Sequence, residues 1–265
     1  MICPICTSGA DFLVSKKDAL SQTYDYYKCR KCAFLFDKDF ADTKKLQLKI
    51  SKVYENNYFE DTDYGWKNRG DSYSKKINML LGWYKALRRK KNMTVLDYGG
   101  GNGYITSKID SKYITSYYDK YVKPTYSGGY KILNEPEKSD VVLAVEVAEH
   151  IIDISEWKAL LDLASDMLIF TTETSDGMTN AELANSWYLR PEVGHVAIYS
   201  STALNIIAKK YGFAYFFFPS KSFHIFIRSP FLSKFNLVTL EYPFYNLLRT
   251  VKKYVPTSSR ESNKA

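Results

Sequence analysis

Short apolar runs alternate with amphipathic segments over residues 94–228. Seven runs rich in β-branched and aromatic residues predict strands: Thr94–Tyr98, Ile114–Tyr118, Tyr130–Leu133, Val141–Val145, Met167–Thr172, Phe213–Phe218 and Phe223–Arg228. Apolar residues at helical spacing predict the helices Tyr104–Ile109, Ser155–Ala164 and Ser200–Tyr211, the last two opened by a serine N-cap. The alternation is typical of an α/β fold with helices on both faces of a parallel sheet. Only about ten residues separate the second and third strands, which is short for a helical crossover.

The first 92 residues follow another pattern. Asp11–Val14 and Thr23–Lys28 alternate in polarity and predict a small β-ribbon. Residues 36–70 are polar and rich in tyrosine, which favours a linker, and Ser72–Lys91 has the periodicity of an amphipathic helix. We therefore expect four parts. They are an N-terminal module at 1–35, a linker and helix at 36–92, the main α/β domain at 93–229, and a C-terminal extension at 230–265.

All four cysteines belong to two Cys-x-x-Cys pairs separated by 22 residues: Cys3, Cys6, Cys29 and Cys32. Two such pairs provide four thiolates, the donor set of a tetrahedral structural zinc ion. The N-terminus has no basic stretch followed by an apolar one, and no apolar run is long enough to span a bilayer, so we expect a cytoplasmic protein with reduced thiols. The module at 1–35 is therefore predicted to be a zinc-binding module. Four protein ligands leave the metal no open position for catalysis.

A glycine cluster follows the first strand of the main domain. Asp97-Tyr-Gly99-Gly-Gly101-Asn-Gly103 lies between a strand and a helix, where glycine permits positive φ and close approach of a ligand to the backbone. Asp97 can meet a cationic amino group. Asp119, at the end of the next strand, lies where a carboxylate can accept hydrogen bonds from ribose hydroxyls. Glu146, which directly follows a later strand, is expected to line the same pocket.

These residues resemble the class I S-adenosylmethionine-dependent methyltransferases. Asp97-x-Gly99-x-Gly101-x-Gly103 is similar to their first motif, Asp119 to their ribose-binding acid, and Asp140–His150 to their fourth strand and the turn after it. The resemblance implies a Rossmann-like seven-stranded methyltransferase sheet, here with a small N-terminal zinc-ribbon-like module, and S-adenosylmethionine as cofactor. An NAD site is the alternative, but the glycines are spaced two apart, unlike the Gly-x-Gly-x-x-Gly of dinucleotide-binding folds.

Segments on either side resemble a bacterial subgroup of these enzymes. They are the two cysteine pairs, Val53-Tyr54-Glu55, Tyr58-Phe59, the run from Trp187 to His195, and Tyr199-Ser200. Many members of that subgroup act in pathways for sugars, surface glycans or other small metabolites. The resemblance therefore implies a sugar, a sugar nucleotide or a glycan precursor as the methyl acceptor.

Methyl transfer from a sulfonium mainly requires positioning, but a hydroxyl or carbon acid also requires a base. His150 and His195 are expected at the carboxyl edge of the sheet and are the candidate bases, with Glu149 as an alternative base or as the residue that orients a histidine. His224 falls within a strand and is predicted to be packed. The aromatic residues that could form a wall for the acceptor are Trp187, Tyr188 and Tyr199.

The net charge of +8 is concentrated near the C-terminus. Residues 221–265 carry eight Lys and Arg against two Glu, so the remainder is nearly neutral. This distribution disfavours a broad nucleic-acid surface. The alternatives left open are an RNA methyltransferase that uses the zinc module and basic tail, and an inactive, zinc-stabilised interaction protein. Within the basic amphipathic extension at 230–265, Tyr242–Tyr254 is expected to dock on the body, on a second subunit or on an anionic membrane surface.

Overall fold

The computed structural model describes residues 1–55, 65–217 and 222–228, and these fall within one compact unit, Met1–Arg228. The predicted extension at 230–265, the Tyr58-Phe59 pair and Phe218 lie outside the described residues. The strands are β1 Ala10–Lys17, β2 Thr23–Cys29, β3 Leu35–Asp37, β4 Thr94–Tyr98, β5 Ile114–Tyr118, β6 Lys131–Ile132, β7 Ser139–Val145, β8 Ala164–Thr171, β9 Ala197–Ile198, β10 Phe213–Phe217 and β11 Phe223–Arg228. The α-helices are α1 Thr43–Glu55, α2 Gly65–Arg88, α3 Tyr104–Ser107, α4 Ile154–Leu163, α5 Asn180–Ala184 and α6 Ser201–Lys210.

Seven strands form one mostly parallel sheet in the order β10-β11-β8-β7-β4-β5-β6. Strand β4 pairs in parallel with β5 on one side and β7 on the other, and β11 is antiparallel to both of its neighbours. The chain runs outward from β4 through β5 to β6 and then returns to β7 on the other side of β4, so a crevice opens beside the end of β4. The predicted α/β fold with a seven-stranded, Rossmann-like sheet is confirmed.

The sequence located the strands better than the helix starts. β4, β5 and β11 have the predicted bounds, and the β5–β6 connection contains no helix, as its length required. Helix α4 begins one residue early, because Asp153 rather than Ser155 caps it: the Asp153 carboxylate accepts from the Ser155 N–H at 2.8 Å. The Ser200 cap of α6 is confirmed. No helix in the described part of the chain is long and apolar enough to cross a membrane.

The N-terminal module shares a sheet with the main domain. Strands β1, β2 and β3 form an antiparallel ribbon, and β9 adds a fourth strand by pairing with β3. The interpretation of residues 36–70 as a linker was wrong for the parts that the structure describes, 36–55 and 65–70. This segment contains the end of β3, a 3-10 turn at Lys38–Ala41, helix α1 and the start of α2, because buried Phe36, Phe40 and Leu46 anchor it to the core.

A chain of aromatic contacts joins the large sheet to the small one. Trp157 on α4 is fully buried, packs edge-on against Phe170 of β8 and donates its indole N–H to the Tyr199 hydroxyl at 2.9 Å. The Tyr199 ring lies 4.8 Å from the ring of Phe34, beside β3. Large buried rings of this kind supply much of the hydrophobic stabilisation of a core. The core therefore extends from the α/β sheet into the cysteine module without a break.

We expect Tyr26→Phe to lower the free energy of unfolding by about 1–2 kcal/mol, since a buried carbonyl would lose its hydrogen-bond donor. The Tyr26 hydroxyl, on β2, donates to the backbone oxygen of His195 at 2.6 Å. Denaturant unfolding followed by circular dichroism measures the change.

Tyr24→Phe is the matched control, because Tyr24 is equally buried on the same strand. Its hydroxyl makes only a 3.3 Å bond to Asp18, whose carboxylate has three other donors from Leu20 and Gln22. Equal losses in the two variants would contradict a specific role for the bond between Tyr26 and His195.

Candidate active site

A cavity of about 630 Å³ opens at the carboxyl ends of β4, β5 and β7. This size is within the range of small-molecule sites. Helix α2 forms one side with Trp66, Arg69 and Tyr73, and the glycine loop forms another. Of the predicted site residues, the cavity wall includes Asp97, Gly99, Gly101, Asp119, Glu146 and His150.

The glycine loop has the backbone that the motif predicts. Gly99, Gly101 and Gly103 all have positive φ, at 70°, 56° and 81°. At Gly99 an added Cβ would approach Val147 to 2.7 Å, and at Gly103 it would meet the Tyr130 hydroxyl at the same distance. A side chain at either position would therefore combine an unfavourable backbone with a steric clash. Gly103 caps α3 and does not line the cavity.

Asp97 is a buried carboxylate at the end of β4, only 1% exposed. Its Oδ2 atom accepts from the Thr106 hydroxyl at 2.5 Å. Burial is the main cause that raises the pKa of Asp97 to about 6; the Thr106 hydrogen bond opposes this shift, and the negative charge of Asp119 contributes to it. A cation placed beside Asp97 would stabilise its charged form.

Asp119 follows β5 and organises the backbone around it. Its Oδ2 atom accepts from the Gly101 N–H at 2.9 Å, and its Oδ1 atom accepts from the N–H groups of Tyr121 and Val122 at 2.8 and 2.9 Å. The carboxylate thus ties the glycine loop to the segment after β5. It also lines the cavity, where a further hydroxyl donor can reach an oxygen that has a lone pair left.

Two glutamates follow β7. Glu146 has a φ of 54°, in the left-handed region that glutamate rarely adopts, and Thr171 holds it there by accepting from its N–H at 2.9 Å and donating to its carboxylate at 2.6 Å. Glu149 is fully buried, and neither of its carboxylate oxygens has a hydrogen-bond partner among the described residues. Burial raises the pKa of Glu149 well above its usual value, and the charge of Glu146 adds to the shift.

His150 and His195 come together from distant parts of the sequence. Their ring centroids are 5.0 Å apart with the rings nearly perpendicular. Burial lowers the pKa of His150 to about 3 and that of His195 to about 4, so both imidazoles are neutral near pH 7. His150 lines the cavity, whereas Glu149 and His195 lie behind it. His224 is buried within β11, as predicted, and bonds Tyr215 and the backbone of Thr172.

The proposed aromatic wall was wrong. Tyr199 is fully buried in the core, Tyr188 is 2% exposed and packs on His195, and Trp187 lies on the surface beside a separate depression. The rings that line the cavity belong to Trp66, Tyr73, Tyr98, Tyr104, Tyr118 and Tyr121. Sequence reasoning missed Trp66 because residues 36–70 were interpreted as a linker, and it missed Tyr73 because the predicted helix Ser72–Lys91 was not assigned to the site. A tryptophan and a tyrosine seven residues apart, on one face of a helix, were the available signal.

The four cysteines form a cluster at one end of the β1–β2 ribbon. Their Sγ atoms all lie within 4.8 Å of one another, with Cys3 and Cys32 at 3.6 Å and Cys6 and Cys29 at 3.4 Å. Sulfurs around a zinc ion with bonds of about 2.3 Å are separated by about 3.8 Å. The donor set and spacing therefore fit a tetrahedral thiolate site.

We expect Asp97→Asn to stabilise the protein when no ligand is bound. A pKa raised from 3.8 to about 6 means that ionised Asp97 destabilises the fold by about 3 kcal/mol above pH 6. This cost falls as the pH drops through 6 and is gone below about pH 4, where the carboxyl group is protonated in both states. Asparagine has no charge and can still accept from Thr106.

Denaturant unfolding of both proteins at pH 8, 6 and 5 measures this difference. The variant should be the more stable at pH 8, and its advantage should shrink at each step down. A constant advantage across the series would contradict the raised pKa of Asp97.

A search of the curated proteins found no match. Solved structures with a similar fold include the magnesium protoporphyrin IX methyltransferase ChlM from Synechocystis PCC 6803 with bound SAH, at 16% identity, a TM-score of 0.44, and coverage of 72% of this chain and 98% of that one. Another is the plantazolicin methyltransferase BpumL in complex with SAH, at 16% identity, a TM-score of 0.41, and coverage of 82% and 95%.

The N-methyltransferase NodS from Bradyrhizobium japonicum WM9 is also similar, at 11% identity and a TM-score of 0.38, with coverage of 62% of this chain and 96% of that one. At these values the likeness concerns the fold alone. The profile of the family described as "Methyltransferase domain" matches residues 66–216, which is more than half of the chain. This protein therefore belongs to the methyltransferase domain family.

Proposed function

We propose that this protein is an S-adenosylmethionine-dependent methyltransferase that acts on a small molecule, with a sugar, sugar nucleotide or related glycan precursor as the acceptor class. The observation that carries the proposal is a single cavity that brings together the positive-φ glycine loop, Asp97 and Asp119 in a methyltransferase domain. The sugar class rests on the sequence resemblance alone.

The charges of the cavity favour a cationic cofactor. Four carboxylates line it, from Asp97, Asp119, Glu146 and Glu156, and they outnumber its two cationic side chains, Arg69 and Lys120. S-adenosylmethionine carries a sulfonium and an ammonium group, and when bound it supplies the activated methyl group. We assign the ammonium group to Asp97, the ribose hydroxyls to Asp119, and close backbone contact to the loop from Gly99 to Gly101, with Gly103 shaping the turn into α3. Each new cationic neighbour would lower the pKa of Asp97 towards its ordinary value.

The shape of the site favours a small acceptor. Helix α2 borders the cavity, and Tyr104 on α3 bonds Asp71 of α2 at 2.8 Å, which holds the helix beside the glycine loop. A cavity of about 630 Å³ suits a cofactor and a small partner better than an RNA strand. We place the acceptor beside His150, the member of the Glu149, His150 and His195 group that reaches the cavity wall. These three residues remain the proposed catalytic group.

Gly101→Val should weaken binding of S-adenosylmethionine and its demethylated product at least tenfold. Gly101 lines the cavity with a φ of 56°, a conformation that a β-branched residue strongly disfavours. Gly177→Val is the matched control, because Gly177 has a φ of 75° and open space around it, away from the cavity. Calorimetry with both ligands and with NAD measures the affinities.

The same proteins should then be assayed for release of the demethylated cofactor with a panel of free sugars, sugar nucleotides and a structured RNA. We expect turnover with at least one sugar-containing compound and none with Gly101→Val. Tight NAD binding, or cofactor affinity that is the same in Gly101→Val and wild type, would contradict the cofactor assignment. Methylation of the RNA alone would contradict the small-molecule assignment.

The proposal includes a structural zinc ion held by Cys3, Cys6, Cys29 and Cys32. The fit rests on the clustered sulfurs and on the burial of three of the four. The site lies beside β3, whose Leu35 and Phe36 pair with β9. Zinc at this place would organise the turn from which β3 emerges, and it would have no part in the chemistry of the cavity.

Fresh protein should hold about one zinc ion per chain that survives dialysis against a weak chelator, because four thiolates complete the coordination. Cys29→Ser should lose this metal and melt at a lower temperature. Lys31→Ser, an exposed change within the same Cys-x-x-Cys pair, should alter neither property. Elemental analysis and thermal unfolding provide the two measurements. Metal-free protein after anaerobic preparation without any chelator would rule out the zinc site.

A further inference from the structure

A second group of metal-ligating side chains lies behind the cavity wall. One ligating atom from each of Glu149, His150 and His195 lies within 4.8 Å of the others. The first two belong to a 3-10 turn at Ala148–His150 after β7, and His195 lies two residues before β9. The Val196 N–H donates to the Glu149 carbonyl at 3.0 Å and holds the two segments together.

Hydrogen bonds fix the orientation and tautomer of both imidazoles. His150 contacts the Gly194 carbonyl through Nδ1 at 3.2 Å, and His195 contacts the Tyr188 carbonyl through Nδ1 at 2.7 Å. A carbonyl only accepts, so each Nδ1 carries the proton and each Nε2 carries a lone pair. Histidines that bind metals have this arrangement, with the outer ring N–H donated to a carbonyl or carboxylate.

Glu149 is the carboxylate of the group and is fully buried. Its two oxygens have no hydrogen-bond partner of good geometry within the described residues, although the hydroxyls of Thr172 and Tyr188 lie near them. Those two hydroxyls bond each other at 3.2 Å. A buried carboxylate without a partner is unfavourable unless a cation or a proton neutralises it. Two imidazole nitrogens beside it are donors to a metal, which favours the cation.

We propose that Glu149, His150 and His195 bind a divalent transition-metal ion whose remaining coordination positions face the cavity. Two imidazoles and one carboxylate suit zinc, iron, cobalt or manganese, and three protein ligands leave room for an exogenous ligand. The site differs from the cysteine cluster, whose four thiolates would fill a coordination sphere.

The open side of the site determines what else it binds. His150 lines the cavity beside Glu146, so an ion held by its Nε2 atom would be accessible from that side. An oxygen donor of the methyl acceptor, a hydroxyl or a carboxylate, is the ligand that this geometry would take. This last step rests on the proposed function, whereas binding of the metal does not.

Cobalt(II) is the probe, because its visible absorption reports the ligand type. The full chain, with zinc in the cysteine cluster, is treated briefly with chelator, exchanged into buffer and titrated with Co²⁺. We expect one further Co²⁺ per chain, with the bands of nitrogen and oxygen ligands and without the intense charge-transfer absorption of thiolates. Co²⁺ should also raise the melting temperature.

Glu149→Gln should weaken this binding at least tenfold while it preserves the shape of the side chain and removes a buried charge. His195→Asn should have the same effect. Glu156→Gln is the matched control: Glu156 is another glutamate of the cavity wall, bonded to the Ile152 N–H at 3.1 Å and outside the cluster. No Co²⁺ bound beyond the thiolate site, or equal weakening in Glu149→Gln and Glu156→Gln, would overturn the inference and favour a protonated Glu149.

Cofactor binding is measured on the same samples, so the two proposals can fail separately. Wild-type protein that binds the demethylated cofactor but not Co²⁺ would overturn the metal site and leave the proposed function standing. Co²⁺ binding without cofactor binding would support the metal site and overturn the proposed function. A change in the cobalt spectrum on addition of an acceptor, absent in Glu149→Gln, supports direct ligation of the acceptor. An unchanged spectrum would overturn direct ligation of the acceptor to the metal.

Discussion

The position of β4 between β5 and β7 determines where everything else in the site lies. Parallel strands end at the same edge of a sheet, so Asp97, Asp119 and Glu146 converge although they are far apart in sequence. The chain runs from β4 to β5 on one side and later returns to β7 on the other side. No crossover connection therefore covers the crevice at the end of β4. The glycine loop turns into that crevice, and α2 borders it. The cavity is therefore a consequence of strand order, while its chemistry depends on the residues that directly follow each strand.

The sequence predicted those features of the molecule that depend on a short stretch of neighbouring residues. Strand β4, the glycine loop and the Ser200 cap follow from short patterns, and they are present as expected. Strand β9 is only two residues long and forms because β3 lies beside it, so no local periodicity in the sequence predicts it. Tyr199 is a residue type that is common in binding sites, but its burial depends on contacts with Trp157 and Phe34, which are distant in sequence. Long-range packing decided these positions.

The excess of carboxylates around the cavity makes it favour a cationic ligand even before a ligand is bound. The carboxylates around it disfavour one another's ionisation: the charge of Asp119 raises the pKa of Asp97, and that of Glu146 raises the pKa of Glu149. The strained backbone at Glu146 is a further cost, offset by its two hydrogen bonds to Thr171. Sites that hold unfavourable charge in this way trade stability for affinity towards a ligand of opposite sign. In this cavity the favoured ligand is therefore a cation.

The pairing of β3 with β9 also limits how this protein can be divided. A cut after residue 35 would divide β3 between Leu35 and Phe36, and would leave Ile198 of β9 without its pairing partner. The cysteine module thus cannot be exchanged as a cassette among methyltransferase domains without rebuilding that pairing. The module and the methyltransferase domain therefore form one structural piece, joined by a shared sheet and a shared core.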